Sequence, residues 1–341
     1  VSAEKVTIAD VARTAGVSKG LVSFALNNRP GVGAETRVRI LQIAQDLGWR
    51  PSLRARSLST QRSFALGLVI ARNPDVLASD PFFPSFIAGV ESILAAERRA
   101  LVLSVVPDEN TELQTYRSLV ADGRVDGVFL SDLRHNDARI PLLSELGLPA
   151  VTLGRPDGES PFPAVTVDDT PGITASVRYL AELGHRRIAH VAGSPDLLHG
   201  TRRREAFAAA MTAAGLPEGQ TVATDFSVGA GSEATRRLLD QPIRPTAIVY
   251  ANDPMAIAGL GVAHELGIRV PDDLSITGFD DIDFSRYVFP PLTTVSAAPA
   301  VWGRAAATTL LRLMENGRAE DVDLPAARLI VRGSAAPPRR R

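Results

Sequence analysis

The stretch V-T-I-A-D-V-A-R-T-A-G-V-S-K-G-L-V-S-F-A-L, residues 6–26, decides how this chain is read. Ile8, Val11, Ala12 and Ala15 stand at i, i+3, i+4 and i+7, one apolar stripe of a short helix. Thr7 followed three residues later by Asp10 is a helix-start pair, and the acid suits the positive end of the helix dipole. Gly16 allows a sharp turn, and Ser18 can cap a second helix. On that helix Val22, Ala25 and Leu26 share one face, while Gly20, Ser23 and Phe24 point the other way with Lys19 and Leu21 on the flanks. Two short helices, one tight turn and one spare face make a helix-turn-helix.

In this motif the second helix lies in the major groove and presents its early residues to base edges. Lys19 can donate to guanine acceptors, Ser23 to phosphate or base, and Phe24 or Leu21 can touch a thymine methyl. Gly20 weakens the helix by about 1 kcal/mol against Ala yet lets the backbone approach the groove closely. The other reading of the same residues is a three-helix core without a DNA partner. Charge favours the first, though a solvated basic face would look the same. Residues 1–62 hold ten Lys/Arg and four Asp/Glu, +6, against a net −1 for all 341 residues, so the remainder sums to −7. A basic head on an acidic body fits a protein that holds a polyanion at one end.

Beyond the second helix, Asn27-Asn28-Arg29-Pro30-Gly31 is a loop by its turn chemistry, and Ile40, Ile43, Ala44 and Leu47 place a third helix at about 34–47. The segment from Gly48 to Thr60 is too short and polar to hold a helix alone, and is expected to order only when DNA neutralises Arg54 and Arg56. From Phe64 apolar runs alternate with helical stretches in two series. The first has strands at 64–71, 101–106, 125–130 and 150–153 with helices at 84–98, 109–122 and 138–146. The second has helices at 172–183, 201–214, 232–239 and 255–266 with strands at 187–192, 222–226, 247–250 and 274–279. Such alternation argues two similar subdomains of parallel sheet wrapped by helices, with ligand sites at the carboxyl ends of the strands. The tail from Ala335 is expected to be disordered.

A chain of this length buries a sizeable core, and 45% hydrophobic with 22% charged residues is the balance of a soluble globular protein. No cysteine is present, which excludes disulfides, thiolate metal sites and thiol catalysis. No apolar run reaches membrane-spanning length and no signal peptide pattern opens the sequence, so a cytoplasmic location without membrane contact is expected. Gly229-Ala230-Gly231, opening a helix with Asp253 some way beyond, superficially suits a dinucleotide site, but a lone glycine pair at a helix start is usually a turn. There is no nucleophile elbow or phosphate loop, and His135, His185, His190, His199 and His264 form no metal spacing. His185 reads most simply as a turn residue. Neither catalysis, a cofactor nor a metal is expected.

These segments together resemble the LacI/GalR family of bacterial transcriptional repressors over nearly the whole chain. The residues that carry the resemblance are T-I-A-D-V-A at 7–12, A-G-V-S at 15–18, V-S at 22–23, L-G-W-R-P at 47–51 and A-R-S-L at 55–58. Further on come L-G-H-R-R-I-A at 183–189, A-N-D at 251–253, G-F-D-D at 278–281 and P-L-T-T-V at 291–295. The resemblance implies an all-α head at 1–50 and a hinge helix and linker at 51–62. An α/β body like a periplasmic binding protein follows at 63–335, with two doubly wound parallel-sheet subdomains, then a disordered tail at 336–341. The first subdomain takes about 63–165 plus 297–322, the second about 166–296 plus 323–335.

The family's base-reading positions fall on Lys19, Gly20 and Phe24, and its minor-groove wedge on Leu58, whose other reading is packing on the body. The expected DNA contacts are then Thr7, Ser18, Lys19, Gly20, Leu21, Ser23 and Phe24 of the head and Arg54, Ala55 and Leu58 of the hinge. The family's effector pocket maps onto Asp80, Phe82, Phe83, Arg155, Arg203, Phe226, Asn252 and Asp280. Aromatic faces against C–H surfaces, with Asp, Arg and Asn on vicinal hydroxyls, suit a sugar. Each has a plainer reading: Phe82 and Phe83 as core, Arg155 and Arg203 as surface ion pairs, Asp280 as a strand end, Asn252 as a helix cap. Two positions depart from the family pattern: Ala297 stands where a glutamine is usual and Gly154 where several relatives carry an acid. Two missing hydrogen-bonding groups leave the effector's identity open, a smaller or deoxygenated sugar included. No C-terminal leucine heptad is present, so a homodimer on pseudo-palindromic operator DNA is expected.

Overall fold

The computed structural model describes residues 6–26, 29–49, 60 and 62–339, and divides at Arg62/Ser63 into two compact units. In the first, α1 (Ile8–Ala15), α2 (Lys19–Leu26) and α3 (Ala34–Asp46) enclose a small core of Val11, Ala12, Ala15, Val22, Ala25, Ile40 and Ala44. Local chemistry sets each end. The Thr7 backbone N–H and hydroxyl both donate to Asp10 Oδ2, at 2.9 and 2.7 Å, fixing the start of α1. Gly16 at φ +64° ends it, and Ser18 Oγ accepts from Leu21 N at 3.1 Å to open α2.

The second unit holds two parallel sheets. One is ordered β11-β5-β4-β3-β1-β2, from β1 (Ala65–Ala71), β2 (Ala100–Val106), β3 (Gly127–Leu130), β4 (Ala150–Leu153), β5 (Ala164–Thr166) and β11 (Val322–Asp323). The other is ordered β7-β6-β8-β9, from β6 (Ile188–Ala192), β7 (Thr221–Ala223), β8 (Ala247–Tyr250) and β9 (Ser275–Thr277). Every ladder within them is parallel. Central strands such as β1 are apolar along their length because helices cover both faces. A short antiparallel pair, β10 (Thr294–Ser296) with β12 (Arg328–Ile330), stands beside the second sheet.

Helices α4 (Pro74–Ser79), α5 (Phe82–Leu94), α6 (Glu109–Ala121) and α7 (Arg139–Glu145) follow strands of the first sheet. α8 (Thr170–Glu182), α9 (Leu198–Ala213), α10 (Val228–Leu239) and α11 (Asp253–Glu265) belong with the second. The longest, α12 (Pro299–Asn316), returns to pack on α5. Their backbones nearly touch: a Cβ at Gly89 would lie 2.2 Å from Ala300 O, and one at Gly303 2.2 Å from Phe86 O. The chain thus passes between the sheets three times, after β5, between β10 and α12, and between β11 and β12.

Some expectations need correcting. Helices were placed late at their N-termini: α5 begins at Phe82 rather than 84, α9 at Leu198 rather than 201. α12 and the three-residue strands β5, β10 and β12 were not expected at all. Residues 335–339 are held rather than loose. Buried His185 bonds Thr246 Oγ1 at 2.9 Å through Nδ1 and the Ala336 carbonyl at 2.9 Å through Nε2, while Ser275 Oγ exchanges hydrogen bonds with Ala336 N and O. Arg339 pairs with Asp272. His185 is therefore an anchor for the C-terminal segment and not a turn residue. Gly231 has a packing reason, since its Cβ would lie 2.6 Å from Met255 side-chain carbons, and Ser227 caps α10.

Candidate functional site

The head's α2 turns Val22 and Ala25 inward and leaves a mixed polar and aromatic outer face. Lys19 and Gly20 are exposed, Leu21 and Ser23 half-buried, and Phe24 is 41% exposed, unusual for so large an apolar ring. Arg29 stacks over that ring at 5.8 Å. Thr7 and Ser18 are exposed while capping α1 and α2, so neither is spent on the core. Arg54, Ala55 and Leu58 lie outside the described residues.

In the body, strand order places the second site. In the first sheet the connection reverses direction between β1 and β3, and in the second between β6 and β8; side chains just past the carboxyl ends of such strands face a crevice. Arg72 follows β1, Ser131 and Asp132 follow β3, and Asn252 follows β8 by two residues. These converge on a cavity of about 80 Å³ between the two sheets, lined also by Asp80, Phe82, Asp169, His199, Arg203, Phe226, Asp280 and Trp302. Of the eight residues expected there, Asp80, Phe82, Arg203, Phe226, Asn252 and Asp280 line it.

Two do not. Phe83 is 2% exposed and belongs to the core around β1 with Phe86 and Phe129, since on α5 it points some 100° away from Phe82. Arg155 lines not this cavity but a larger one beside it, half-exposed, with Nη2 donating to Asp323 at 2.8 Å and Nη1 to Asp321. The ion pair and a place at the outer end of the cleft are both true of it. The two departures from the family pattern have different surroundings. Ala297 is buried beside Phe279 and Val295 in the core rather than facing the cavity. Gly154 sits at φ +99°, a conformation an acidic side chain would adopt only under strain.

The cavity's charges are arranged in committed pairs. Arg72 donates to Asp132 through Nε and Nη2, both at 2.6 Å, and to Asp80 through Nη1 at 2.6 Å. Arg203 donates to Asp169 Oδ2 at 2.7 Å and the Ala251 carbonyl at 2.8 Å, with its guanidinium 3.6 Å over the Phe279 ring. Among the described residues Asp280 makes no side-chain hydrogen bond. Burial drives its carboxyl well above the ordinary aspartate range, and the nearby acids Asp253, Asp80 and Asp169 push the same way against Arg203. Asp132, by contrast, is burdened by burial but brought down to about 2 by Arg72. Burial, then Arg203, depresses His199 to about 3, so it faces the cavity as a neutral ring 5.0 Å from Phe226. Asn252 does two things at once: Oδ1 accepts from Met255 N at 2.9 Å to cap α11, and Nδ2 donates to the Phe226 carbonyl at 3.0 Å. Phe226 itself is at φ +70°, and its ring fits because residue 193 is glycine, where a Cβ would lie 1.8 Å from Cζ.

Arg72, Ser131, Asp132, Asp169, His199 and Trp302 were not expected from sequence. The available signal was position: Arg72 and Ser131-Asp132 immediately follow apolar runs that end strands. Among the described residues no group of three or more His, Asp or Glu is placed to hold a metal ion, and no helix is long and apolar enough to cross a membrane.

Comparison with known proteins follows the same division into head and body. Residues 7–52 match the model of bacterial regulatory proteins of the lacI family, and residues 177–335 that of a periplasmic binding protein-like domain. The HTH-type transcriptional regulator CelR of Thermobifida fusca is 33% identical over 93% of this chain and 94% of its own length. The HTH-type transcriptional repressor CytR of Escherichia coli is 33% identical over 96% of each. Among solved structures, a CelR–cellobiose complex superposes with a TM-score of 0.73 at 31% identity, covering 97% of this chain and all of that one. The lac repressor dimer bound to operator and an anti-inducer superposes with a TM-score of 0.82 at 26% identity, covering 98% and 100%. A helix-turn-helix head, a two-sheet body with a polar cleft, and relatives matched from end to end carry one conclusion: the chain belongs to the LacI family of bacterial transcriptional regulators.

Proposed function

We propose that this regulator represses carbohydrate-utilisation genes in the cytoplasm, binding pseudo-palindromic operator DNA as a homodimer and answering to a neutral sugar-like effector in the cleft. The observation that carries the effector is the lining of the inner cavity. Phe82, Phe226 and Trp302 supply apolar ring surface, and Asp80, Asp280 and Asn252 supply polar atoms at its edge, the combination that holds a sugar's C–H faces and hydroxyls. Both guanidiniums there, Arg72 and Arg203, are already paired with carboxylates, and three aspartates, Asp80, Asp132 and Asp169, outnumber them even with a proton held on Asp280. A phosphate or carboxylate on the ligand would meet net negative charge. For the head, Lys19, Leu21, Ser23 and Phe24 are the base-facing candidates, with Thr7, Ser18 and Gly20 at the backbone and Arg54, Ala55 and Leu58 completing the contact from the hinge. Effector binding that closes the cleft would bias the body's two subdomains, and so the spacing of the heads in the dimer, by a coupling of about 1–3 kcal/mol.

The test is promoter-fragment binding by the full chain with and without added sugars. Lys19→Ala is expected to weaken specific binding about ten- to hundredfold, the worth of one base contact, with the body's thermal unfolding unchanged. Binding that survives Lys19→Ala and removal of residues 1–62 would refute the DNA half; operator affinity that no sugar alters would refute the effector half.

A further inference from the structure

The inner cavity shares part of its wall with a larger one. Leu153, Asp169, His199 and Trp302 line both, and the outer space, about 450 Å³, extends to a rim that includes exposed Asp168 and Thr170. Together they reach the roughly 300–1,000 Å³ of sites that bury a ligand larger than one small ring. Aromatic surface runs along the join: Phe82 meets Trp302 edge to face at 5.7 Å, and Trp302 is fixed by its Nε1–H donating to the Val165 carbonyl at 2.8 Å.

Among the described residues, three that line these cavities carry a buried side-chain oxygen with no protein partner: Ser131 Oγ from the inner cavity, Asp169 Oδ1 from the shared wall and Thr166 Oγ1 from the outer one. Buried hydroxyl and carboxylate oxygens are nearly always hydrogen-bonded, so a small turn of each side chain toward the cavity it lines would let it meet a ligand hydroxyl. A single ring seated against Phe82 and Asp280 would reach the first of these and leave the outer wall uncovered.

Building on the sugar reading above, we infer that the effector is a neutral saccharide of at least two units, one ring in the inner cavity and the next in the outer, joined beside Asp169 and Trp302. The outer ring would lie between Trp302 and the Thr166–Thr170 segment, with hydroxyls toward Thr166 and Asp168.

Isothermal titration of the full chain with glucose, galactose and xylose, with cellobiose, lactose, maltose and melibiose, and with glucuronate and glucose 6-phosphate tests this. At least one neutral disaccharide is expected to bind tenfold or more tightly than each of its own monosaccharides. Thr170→Trp, which fills the outer space from an exposed position, is expected to lower that disaccharide's affinity at least tenfold. Thr166→Val, which removes only the hydroxyl, is expected to lower it about threefold, with thermal unfolding midpoints reporting that both variants fold. A monosaccharide that binds as tightly as every disaccharide, or a Thr170→Trp protein that binds the disaccharide like the parent, overturns the two-ring inference and leaves the sugar effector standing. Binding of the anions alone, or of nothing in the panel, overturns both.

Discussion

Arg72→Met would expose how the cleft's charges are held. Arg72 is the only cation in hydrogen-bond contact with Asp80 and Asp132 among the described residues, and all three side chains are close to buried, at 11%, 14% and 13% exposure. Removing one partner of a buried ion pair costs about 3–5 kcal/mol, because the charge left behind has lost its water as well as its counter-ion. Methionine keeps apolar bulk near the rings of Phe83 and Phe226, over which the guanidinium sits at 5.3 and 5.8 Å, so little of the loss is packing. The stranded carboxylates have one escape, taking up a proton. From an ordinary aspartate pKa that costs about 4 kcal/mol at pH 7 and about 1.5 kcal/mol at pH 5. That cost is for each carboxylate, so the deficit of the variant should shrink from about 3–5 kcal/mol at pH 7 to about 1.5–3 kcal/mol at pH 5, for one or both of Asp80 and Asp132 taking a proton. The sign follows from linkage: at pH 5 the folded variant binds a proton that its unfolded chain does not, so its stability rises as pH falls. In the parent Asp132 behaves oppositely, its depressed pKa contributing stability above about pH 4 that is lost as pH drops toward 2. Urea unfolding of both proteins at the two pH values, followed by circular dichroism, measures the difference. A loss below about 1 kcal/mol, or one equal at pH 7 and pH 5, would contradict this pairing as the source of stability.

Two further outcomes concern the scaffold. His190 is fully buried against Phe207, its Nδ1 2.8 Å from the Val249 carbonyl, and burial depresses it to about 4; between pH 6.5 and 4 the unfolded chain takes a proton that the folded one refuses. His190→Gln, which can keep the hydrogen bond without titrating, should recover up to about 3 kcal/mol of the parent's acid loss in unfolding measured from pH 7 to 4, and an unchanged acid slope would exclude His190 as the sensor. Gly89→Ala forces a methyl against the Ala300 carbonyl between α5 and α12 and should lower stability by about 1–3 kcal/mol, read as a drop in thermal midpoint; a neutral result would mean the two helices separate freely.

The head was legible because what specifies it is local. A capping pair at Thr7 and Asp10, a left-handed glycine at 16 and a serine cap at 18 lie within a dozen residues, and each acts on its immediate neighbours. The strands of the body were legible for a related reason, since a central parallel strand covered on both faces has to be apolar throughout. The antiparallel pair β10–β12 and the long helix α12 escaped because their partners are remote. Its Trp302, Ala306 and Leu310 share a face at helical spacing, yet the surface they cover was built by α5, some two hundred residues earlier.

The cleft divides along the same line. Residues tied to a motif reached it, but side-chain direction within an element depends on where the element begins. With α5 taken to start at 84, Phe82 and Phe83 were both loop residues and indistinguishable; starting at Phe82 it turns one ring to the cavity and the next into the core. The same holds for His199, which lies just before the start of α9 that the sequence suggests and inside its first turn in the structure. Arg72 and Asp132 stand sixty residues apart, each after an apolar run of ordinary appearance. They meet because β1 pairs with β3 rather than with β2 alone, and no periodicity in either run encodes that neighbour. The groups that set the charge of the effector site are thus chosen by strand order, which is why residue types announced a binding cleft while its counter-ions had to be read from the fold.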